Sequence, residues 1–204
     1  ALDLACGRGR HALVMARQGL HVTGLDLSES SLEQATQLAA AHPALKLGFA
    51  KHDMRAVYAA DRFDLVFNLF TSFGYFDDPQ DDVRVIAAIY AGLKPGGRFV
   101  FDFLHAHFVQ ETFVPTEEKT IDGVQFAISR HITDEWIVKQ IHVVDGPHHY
   151  RFFEKVRHYS PKTLQLLLLH QGFEIQRQFG DYQLGEPTPD SPRCIFICQK
   201  PWNS

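Results

Sequence analysis

The segment LDLACGRGRH, residues 2–11, has the composition of a ligand-binding turn between a buried strand and a helix. Gly7, Gly9 and Ala12 match the G-x-G-x-x-G/A spacing, in which glycine lets the backbone approach a ligand closely at a helix N-terminus. Two ligand classes fit this spacing: a dinucleotide, whose pyrophosphate lies at the helix N-terminus, and an adenosyl ligand without phosphate. The glycine spacing alone leaves both classes open.

Charged residues near the turn bear on this choice. Asp3 lies four residues before Gly7, where its carboxylate would repel a pyrophosphate and attract an ammonium group. S-adenosylmethionine carries an ammonium group and no phosphate, so Asp3 favours the adenosyl ligand. Arg8 and Arg10 are cations that would attract a phosphate, so the charges support this choice only in part.

The elements that position these residues alternate between strands and helices over the first hundred residues, which is typical of a parallel sheet covered by helices. Ser28 is predicted to cap a helix that ends before Pro43. Asp78 with Pro79 begins another helix, which ends near Gly92 before a KPGG turn. The predicted strands are residues 1–4, 21–25, 45–50, 63–69 and 98–103, and the apolar face of the helix after Asp78 is predicted to contain Val83, Ile86, Ala87 and Tyr90.

From His105 to Tyr159 the hydrophobic pattern repeats every two residues, which indicates antiparallel strands. This segment is predicted to be an inserted antiparallel sheet, in which the turn DGPHH joins two strands. Ser160 and Pro161 are predicted to cap a last helix, and the segments GFEIQRQFG and RCIFICQK are predicted to be two further strands that return to the first sheet.

Composition narrows the range of functions. The chain has 204 residues, of which 45% are hydrophobic, and this suits one globular domain with a sizeable core. A formal net charge of -4 gives no basic field for nucleic acid, and no apolar run approaches the roughly 20 residues of a membrane-spanning helix. Cys194 and Cys198 lie four apart on a predicted strand, too far apart to pair, so the cysteines indicate a reducing, cytoplasmic location.

Five segments resemble the class I S-adenosylmethionine-dependent methyltransferases in order and spacing: LDLACGRGRHALVMARQG, VTGLDLSESSL, HDMR, FDLVFNLFTSFGYF and LKPGGRFVFDF. The resemblance implies an α/β fold with a Rossmann-like, doubly wound seven-stranded sheet whose C-terminal strand pair is antiparallel. It implies a cofactor-binding core of residues 1–104 and 160–204. The inserted subdomain, residues 105–159, resembles the small-molecule branch that includes the sugar-amine N,N-dimethyltransferases, in which such a sheet covers the acceptor pocket.

The resemblance also implies which residues hold S-adenosylmethionine. Asp3 and the backbone around Ala5 and Gly7 would hold its methionine end, while Gly9 would allow its close passage. Asp26, 19 residues after Gly7, would accept hydrogen bonds from both ribose hydroxyls. The other predicted cofactor-binding residues are Arg10, Leu27 beside the adenine, Asp53 as acceptor for the adenine amino group, Met54, Asn68 and Leu69.

Each predicted acid also has a purely structural interpretation. Asp26 could belong to a helix-capping turn, Asp53 could be an ordinary loop acid, and Asp3 could pair with Arg10. The three acids taken together favour the cofactor site.

Methyl transfer from a sulfonium is an in-line displacement, so the protein has to align the acceptor and exclude water. Tyr75, which follows the fourth strand, is predicted to position the acceptor. His105, which follows the fifth strand, is predicted to be a base for an amine acceptor, with helix capping as its structural alternative. The twelve histidines show no zinc spacing, and no metal is predicted.

The predicted function is therefore S-adenosylmethionine-dependent methyl transfer to a small molecule, with N-methylation of an amine as the expected reaction. A noncatalytic adenosyl-binding module and a nicotinamide-dependent oxidoreductase are the alternatives. The inserted sheet is also predicted to support a homodimer. In the family a helical segment usually precedes the first strand and closes over the cofactor, so a chain that begins at Ala1 is expected to bind the cofactor weakly.

Overall fold

The computed structural model describes residues 1–202, which form two separate β-sheets and five helices. The elements of the first half are β1 (Leu2–Leu4), α1 (Arg10–Arg17), β2 (Val22–Asp26), α2 (Glu29–Ala40), β3 (Leu47–Lys51), β4 (Phe63–Asn68), α3 (Pro79–Gly92) and β5 (Leu93–Leu104). Those of the second half are α4 (Ala106–Glu111), β6 (Thr116–Ile121), β7 (Val124–Ile132), β8 (Trp136–Asp145), β9 (His148–Arg157), α5 (Pro161–His170), β10 (Glu174–Phe179) and β11 (Arg193–Gln199).

The larger sheet has seven strands in the order β10-β11-β5-β4-β1-β2-β3. Strands β1 to β5 run parallel, while β11 is antiparallel to β5 and β10 is antiparallel to β11. The chain moves outward from β1 in one direction to β3 and in the other to β5. The carboxyl ends of β1, β2 and β4 therefore meet at the point where the strand order reverses, and this is where open α/β sheets bind ligands. The predicted fold class is confirmed.

Side chains at the predicted caps begin three of the helices. The Ser28 hydroxyl accepts a hydrogen bond from the Ser31 N–H, and the Asp78 carboxylate accepts one from the Gln80 N–H. The Ser160 hydroxyl accepts one from the Thr163 N–H. Each cap satisfies a backbone donor that has no partner within its helix, so these helix starts are fixed by local chemistry.

Two sequence-based details differ from the structure. The KPGG segment lies inside β5 instead of forming a separate turn, because Gly96 donates to the Lys200 carbonyl and Lys200 donates back to the Gly97 carbonyl, both at 2.9 Å. Val83 is exposed, and α3 instead buries a face that includes two carboxylates. Asp81 and Asp82 are tolerated there because each has a polar partner on another element.

The smaller sheet is antiparallel, with the order β6-β7-β8-β9, and the DGPHH segment joins β8 to β9 as predicted. The end of β9 and the residues just after it contact the segment that follows β4 and helix α3. The Arg157 N–H donates to the Gly74 carbonyl at 2.8 Å, and the Tyr159 hydroxyl donates to Asp82 at 2.7 Å. This contact places the inserted sheet beside the segment that follows β4.

The three cysteines, Cys6, Cys194 and Cys198, are buried and free. No helix within residues 1–202 combines the length and the apolar composition needed to cross a membrane.

Candidate cofactor site

Two cavities flank the glycine turn at the carboxyl edge of the larger sheet. The first cavity, of about 410 Å³, is lined by Asp26, Leu27, Asp53, Met54 and Tyr75 among others. The second cavity, of about 450 Å³, is lined by Arg8, Arg10, His11, Leu69 and Phe70 among others. Ala5 and Gly7 line both cavities, so the glycine turn lies between them at the edge of the sheet. The structure thus brings together most of the residues that the sequence assigns to cofactor binding.

The backbone of the turn adopts left-handed conformations at three positions. Gly7 has a φ of +54°, and a Cβ added there would meet no atom within 4 Å, which leaves open space beside the backbone. Gly9 has a φ of +78°, but a Cβ there would lie 2.5 Å from the ring of Phe49. Gly9 is thus needed for packing of the turn against β3, a different reason from the ligand approach predicted for it. Ala5, with a φ of +59°, has a conformation that costs a non-glycine residue about 1–2 kcal/mol.

Asp3 lies beneath this turn with only 2% of its surface exposed. Its Oδ2 has no hydrogen-bond partner in the described residues, and no ion pair there joins it to Arg10, which is exposed. Burial raises the pKa of the Asp3 carboxyl to about 7, although the Ala12 N–H partly opposes the shift. A buried carboxylate oxygen without a partner is costly unless a ligand supplies a donor.

Asp26, at the end of β2, organises the turn from the other side. Its Oδ2 accepts a hydrogen bond from the Gly7 N–H at 2.7 Å, and its Oδ1 accepts one from the Ser28 N–H at 2.8 Å. The second bond matches the helix-capping turn that was the structural alternative. Asp26 therefore stabilises this turn and also lines the first cavity. Leu27, 61% exposed, stands at the rim of that cavity.

Asp53 lines the first cavity but has a partner that the sequence analysis missed. Arg55 donates from Nε to both Asp53 oxygens, at 3.0 and 3.2 Å, and from Nη2 at 2.6 Å. These bonds lower the pKa of Asp53 to about 2. Arg55 also pairs with Asp81 at 2.9 Å and lies 4.6 Å from the ring centroid of Phe76. The HDMR segment contains this arginine, and its spacing of two from the acid was the available signal.

Asn68 does not line either cavity. Its side-chain amide is buried and donates to the Leu4 carbonyl at 3.2 Å and to the Ser72 carbonyl at 2.9 Å. Asn68 thereby joins the end of β1 to the segment after β4. Its neighbour Leu69 lines the second cavity.

The two predicted catalytic residues have different environments. Tyr75 lines the first cavity, and its hydroxyl donates to the Thr71 carbonyl at 2.7 Å. Burial raises the pKa of the Tyr75 phenol, so it stays neutral at neutral pH. His105 lines neither cavity: its Nδ1 accepts from the Phe108 N–H at 3.4 Å and caps α4, while burial lowers its pKa. The capping alternative therefore describes the His105 contact.

Known proteins resemble this chain in both sequence and fold. Residues 1–97 match the family model described as a methyltransferase domain. Over 98% of its length the chain is 30% identical to YqeM of Bacillus subtilis (strain 168), whose name places it among the methyltransferases, and it covers 83% of that protein. The chain belongs to the class I S-adenosylmethionine-dependent methyltransferase family. This membership favours methyl transfer over the nicotinamide-dependent alternative.

Solved structures of the methyltransferase family share the fold. An S-adenosylmethionine-dependent methyltransferase from Clostridium acetobutylicum ATCC 824 superimposes with a TM-score of 0.87 at 23% identity, over 98% of this chain and 83% of that one. The sugar N-methyltransferase KedS8 from Streptoalloteichus sp ATCC 53650 gives a TM-score of 0.78 at 20% identity, over 98% of this chain and 79% of that one. Both likenesses include the inserted sheet, since they cover nearly all of the chain.

Proposed function

We propose that this methyltransferase transfers the methyl group of S-adenosylmethionine to a small-molecule amine. The observation that carries the cofactor assignment is the buried, unpartnered Oδ2 of Asp3, which needs a donor such as an ammonium group. The fold likeness to KedS8, a sugar N-methyltransferase, supports an amine acceptor.

The residues present fit this cofactor. Asp3, which is buried under the turn and lines neither cavity, would hold the ammonium group from below. The backbone of the turn would pass beside the cofactor where Gly7 leaves open space, and Asp26 would accept from its ribose. Leu27 and Met54 supply apolar surface on the first cavity for an adenine ring. When bound, S-adenosylmethionine supplies an electrophilic methyl group on its sulfonium.

What the protein adds is alignment and exclusion of water. Tyr75 borders the first cavity with its hydroxyl already donated to the Thr71 carbonyl, so an oxygen lone pair is left to accept from an amine N–H. An amine must lose its proton before it can attack, and the neutral Tyr75 phenol is a weak base. The amine would therefore have to arrive in its neutral form. His105 caps α4 and lines neither cavity, so its role as a base stays a prediction.

The segment 105–159 is proposed to cover the acceptor as a separate subdomain. The contact of Arg157 with Gly74 supports this placement, because Gly74 directly precedes Tyr75.

We also propose a homodimer through the inserted sheet. It is supported by a cavity of about 530 Å³ along this sheet and by the exposed side chains of Tyr150, Phe152 and Phe153. Light scattering of the wild type and of Phe153→Asp tests the dimer, and a monomeric wild type contradicts it.

A cytoplasmic location completes the proposal, supported by three cysteines that are buried and free. The amine acceptor rests on the likeness to KedS8, and no nucleic-acid or membrane partner is proposed.

Ligand-dependent thermal unfolding tests the cofactor. S-adenosylhomocysteine at about 100 times its Kd should raise the Tm by roughly 5–10 °C, while NAD should leave it unchanged. Asp3→Asn removes the proposed partner of the ligand's ammonium group and should lose most of this shift in Tm. A shift with NAD alone would contradict the proposal.

Mass spectrometry after incubation with S-adenosylmethionine and a panel of amino sugars and simple amines tests the reaction. Addition of a methyl group to one class of amine is the expected result. Tight binding of S-adenosylhomocysteine together with no methylation of any panel member would favour the noncatalytic binding module.

A further inference from the structure

The segment that follows β4 has an unusual backbone. Phe70 and Thr71 are consecutive non-glycine residues with φ values of +58° and +64°. Left-handed φ is rare for large side chains and is an outlier for a β-branched residue such as threonine. Phe70 lines the second cavity and Ser72 lines both, so this strained backbone forms part of the site wall. Such strain persists only where surrounding contacts hold it, and it concentrates at functional sites.

One buried carboxylate supplies much of the restraint. Asp102, near the end of β5, is 2% exposed. Its Oδ2 accepts from the Phe70 N–H at 2.9 Å and from the Tyr182 hydroxyl at 3.0 Å. The Asp102 backbone carbonyl accepts from the Thr71 N–H at 3.0 Å. Both left-handed residues therefore donate their backbone N–H groups to the same aspartate.

Arg193, at the start of β11, completes this arrangement. Its Nε donates to Asp102 Oδ1 at 2.7 Å, and its Nη2 lies 2.6 Å from the same oxygen in an ion pair. Its Nη2 also donates to the Thr71 hydroxyl oxygen at 3.1 Å, and that oxygen accepts the Leu104 N–H at 3.0 Å. The guanidinium thus joins the carboxylate and the loop side chain from a strand 91 residues away in the chain from Asp102.

The same restraint fixes aromatic side chains at the surface. The Phe70 ring is 55% exposed and stacks between His11 and Tyr182, with ring centroids 4.8 and 5.5 Å away. The guanidinium carbon of Arg193 lies 5.6 Å from the centroid of the Tyr182 ring. These side chains form one ordered wall beside the second cavity.

We infer that Asp102 and Arg193 are positioning residues that hold the loop of residues 70–72 as a fixed wall of the second cavity. The inference rests on the proposed function for the meaning of that wall. Neither residue lines the two cavities, so both act through Phe70, Thr71 and Tyr182.

Amide hydrogen exchange of the ligand-free protein tests the restraint directly. In Asp102→Asn the amides of Phe70 and Thr71 should exchange about tenfold faster or more, while amides of β1 and β2 keep their wild-type rates. Thr71→Val removes only the hydroxyl that accepts from the Leu104 N–H. It should raise the exchange rates of the Leu104 amide and of the loop amides by less than Asp102→Asn does. Arg193→Lys should lie between the wild type and Arg193→Ala, because lysine keeps the charge but loses the two-pronged contact.

The matched control is Asp64→Asn, which breaks an exposed pair with Lys94 on the same sheet and should leave the loop amides unchanged. The calorimetric Kd for S-adenosylhomocysteine should rise about threefold or more in Arg193→Ala and less in Arg193→Lys, while Asp64→Asn keeps the wild-type Kd. The reason is that the loop lines the second cavity together with Arg10 and Leu69, two predicted cofactor-binding residues.

Wild-type loop exchange in both Asp102→Asn and Thr71→Val would overturn the inference, as would a uniform increase over all strands. A wild-type Kd for S-adenosylhomocysteine in both Asp102→Asn and Arg193→Ala, together with faster loop exchange, would show a purely structural restraint and would overturn the positioning role. A wild-type protein that does not bind S-adenosylhomocysteine would contradict the proposed function, while the ligand-free exchange result would still decide whether the clamp exists.

Discussion

The glycine turn and the inserted sheet serve the proposed reaction with different physical means. Around the turn, charged groups are fixed at strand ends, with Asp3 buried and Asp26 bonded to two backbone N–H groups. Along β9 of the inserted sheet, large aromatic side chains such as Phe152 and Phe153 stand 54% and 62% exposed.

The difference indicates which region of the molecule would select each ligand. A few fixed polar groups identify a ligand by its hydrogen bonds, which suits a cofactor that never changes. An open aromatic surface selects by shape and apolar area, which suits either the proposed acceptor or the second copy of the chain in the proposed homodimer. The predictions below test whether the two regions are separable in this way.

Removal of the Asp3 charge should have the largest effect. Asp3→Asn keeps the shape but loses the partner of a buried ammonium, which should weaken binding of S-adenosylhomocysteine by about 2–4 kcal/mol. Isothermal titration calorimetry measures this loss. Affinity within a few-fold of the wild type would show that Asp3 does not contact the ligand.

The same substitution should stabilise the ligand-free protein at high pH. The pKa of Asp3 is raised to about 7 from 3.8, so between these values the folded state retains a proton that the unfolded state has released. Stability contributed by this proton is present at low pH and is lost as the pH rises from about 4 to 7. At pH 8, Asp3→Asn should therefore be about 1–3 kcal/mol more stable by urea unfolding, and at pH 4 the two proteins should be nearly equal.

Replacement of Asp26 should have the second largest effect. Asp26→Ala should weaken binding of S-adenosylhomocysteine by about 1.5–3 kcal/mol, because hydrogen bonds to a charged acceptor are lost. Glu29→Gln, which alters an exposed carboxylate paired with Lys51 on the same edge, is the matched control. Calorimetry that shows equal affinities for the two variants would remove Asp26 from the site.

The link between the two regions should matter less for binding. Tyr159→Phe removes the hydroxyl that donates to Asp82, whose pKa burial raises to about 6. We expect a loss of about 1–2 kcal/mol in the free energy of unfolding at pH 8 and a smaller loss at pH 5, where Asp82 is protonated. Affinity for S-adenosylhomocysteine should be unchanged, and a tenfold loss would show that the two regions are coupled.

The smallest effect is expected at Ala5. Ala5→Gly relieves a left-handed conformation worth about 1–2 kcal/mol but adds unfolded-state entropy, so a net stabilisation of up to about 1 kcal/mol is expected. Ala127→Gly in β7 is the control on the inserted sheet, where glycine should destabilise by about 0.5–1 kcal/mol. Thermal unfolding of both variants checks the opposite signs.

Sequence patterns predicted the parts of this molecule that local chemistry determines. Ser28, Asp78 and Ser160 begin their helices as predicted, since a cap and its target lie within three residues of each other. The strand ends that carry Asp3 and Asp26 also follow from spacing alone, because parallel strands bring their carboxyl ends to one edge.

The missed features depend on contacts between distant segments. The Asp102 carboxylate meets Arg193 across 91 residues, and no local pattern encodes that pairing. The buried face of α3 was predicted only in part: Ile86 is buried and Tyr90 packs against the core, but Val83 is exposed. Asp82 is buried instead, and Tyr159 provides its partner from 77 residues away. Hydrophobic periodicity counts such acids as exposed, so the predicted face is rotated from the observed one.

The inserted sheet leaves the main sheet once, after β5, and returns once, before α5. Within residues 1–202 its strands pair only with one another, and no ladder joins them to the seven-stranded sheet. A single continuous stretch of chain could therefore be exchanged for another of different length without breaking any strand pairing of the core. If the insert covers the acceptor as proposed, such an exchange would change the acceptor and leave the strand ends around the glycine turn unaltered.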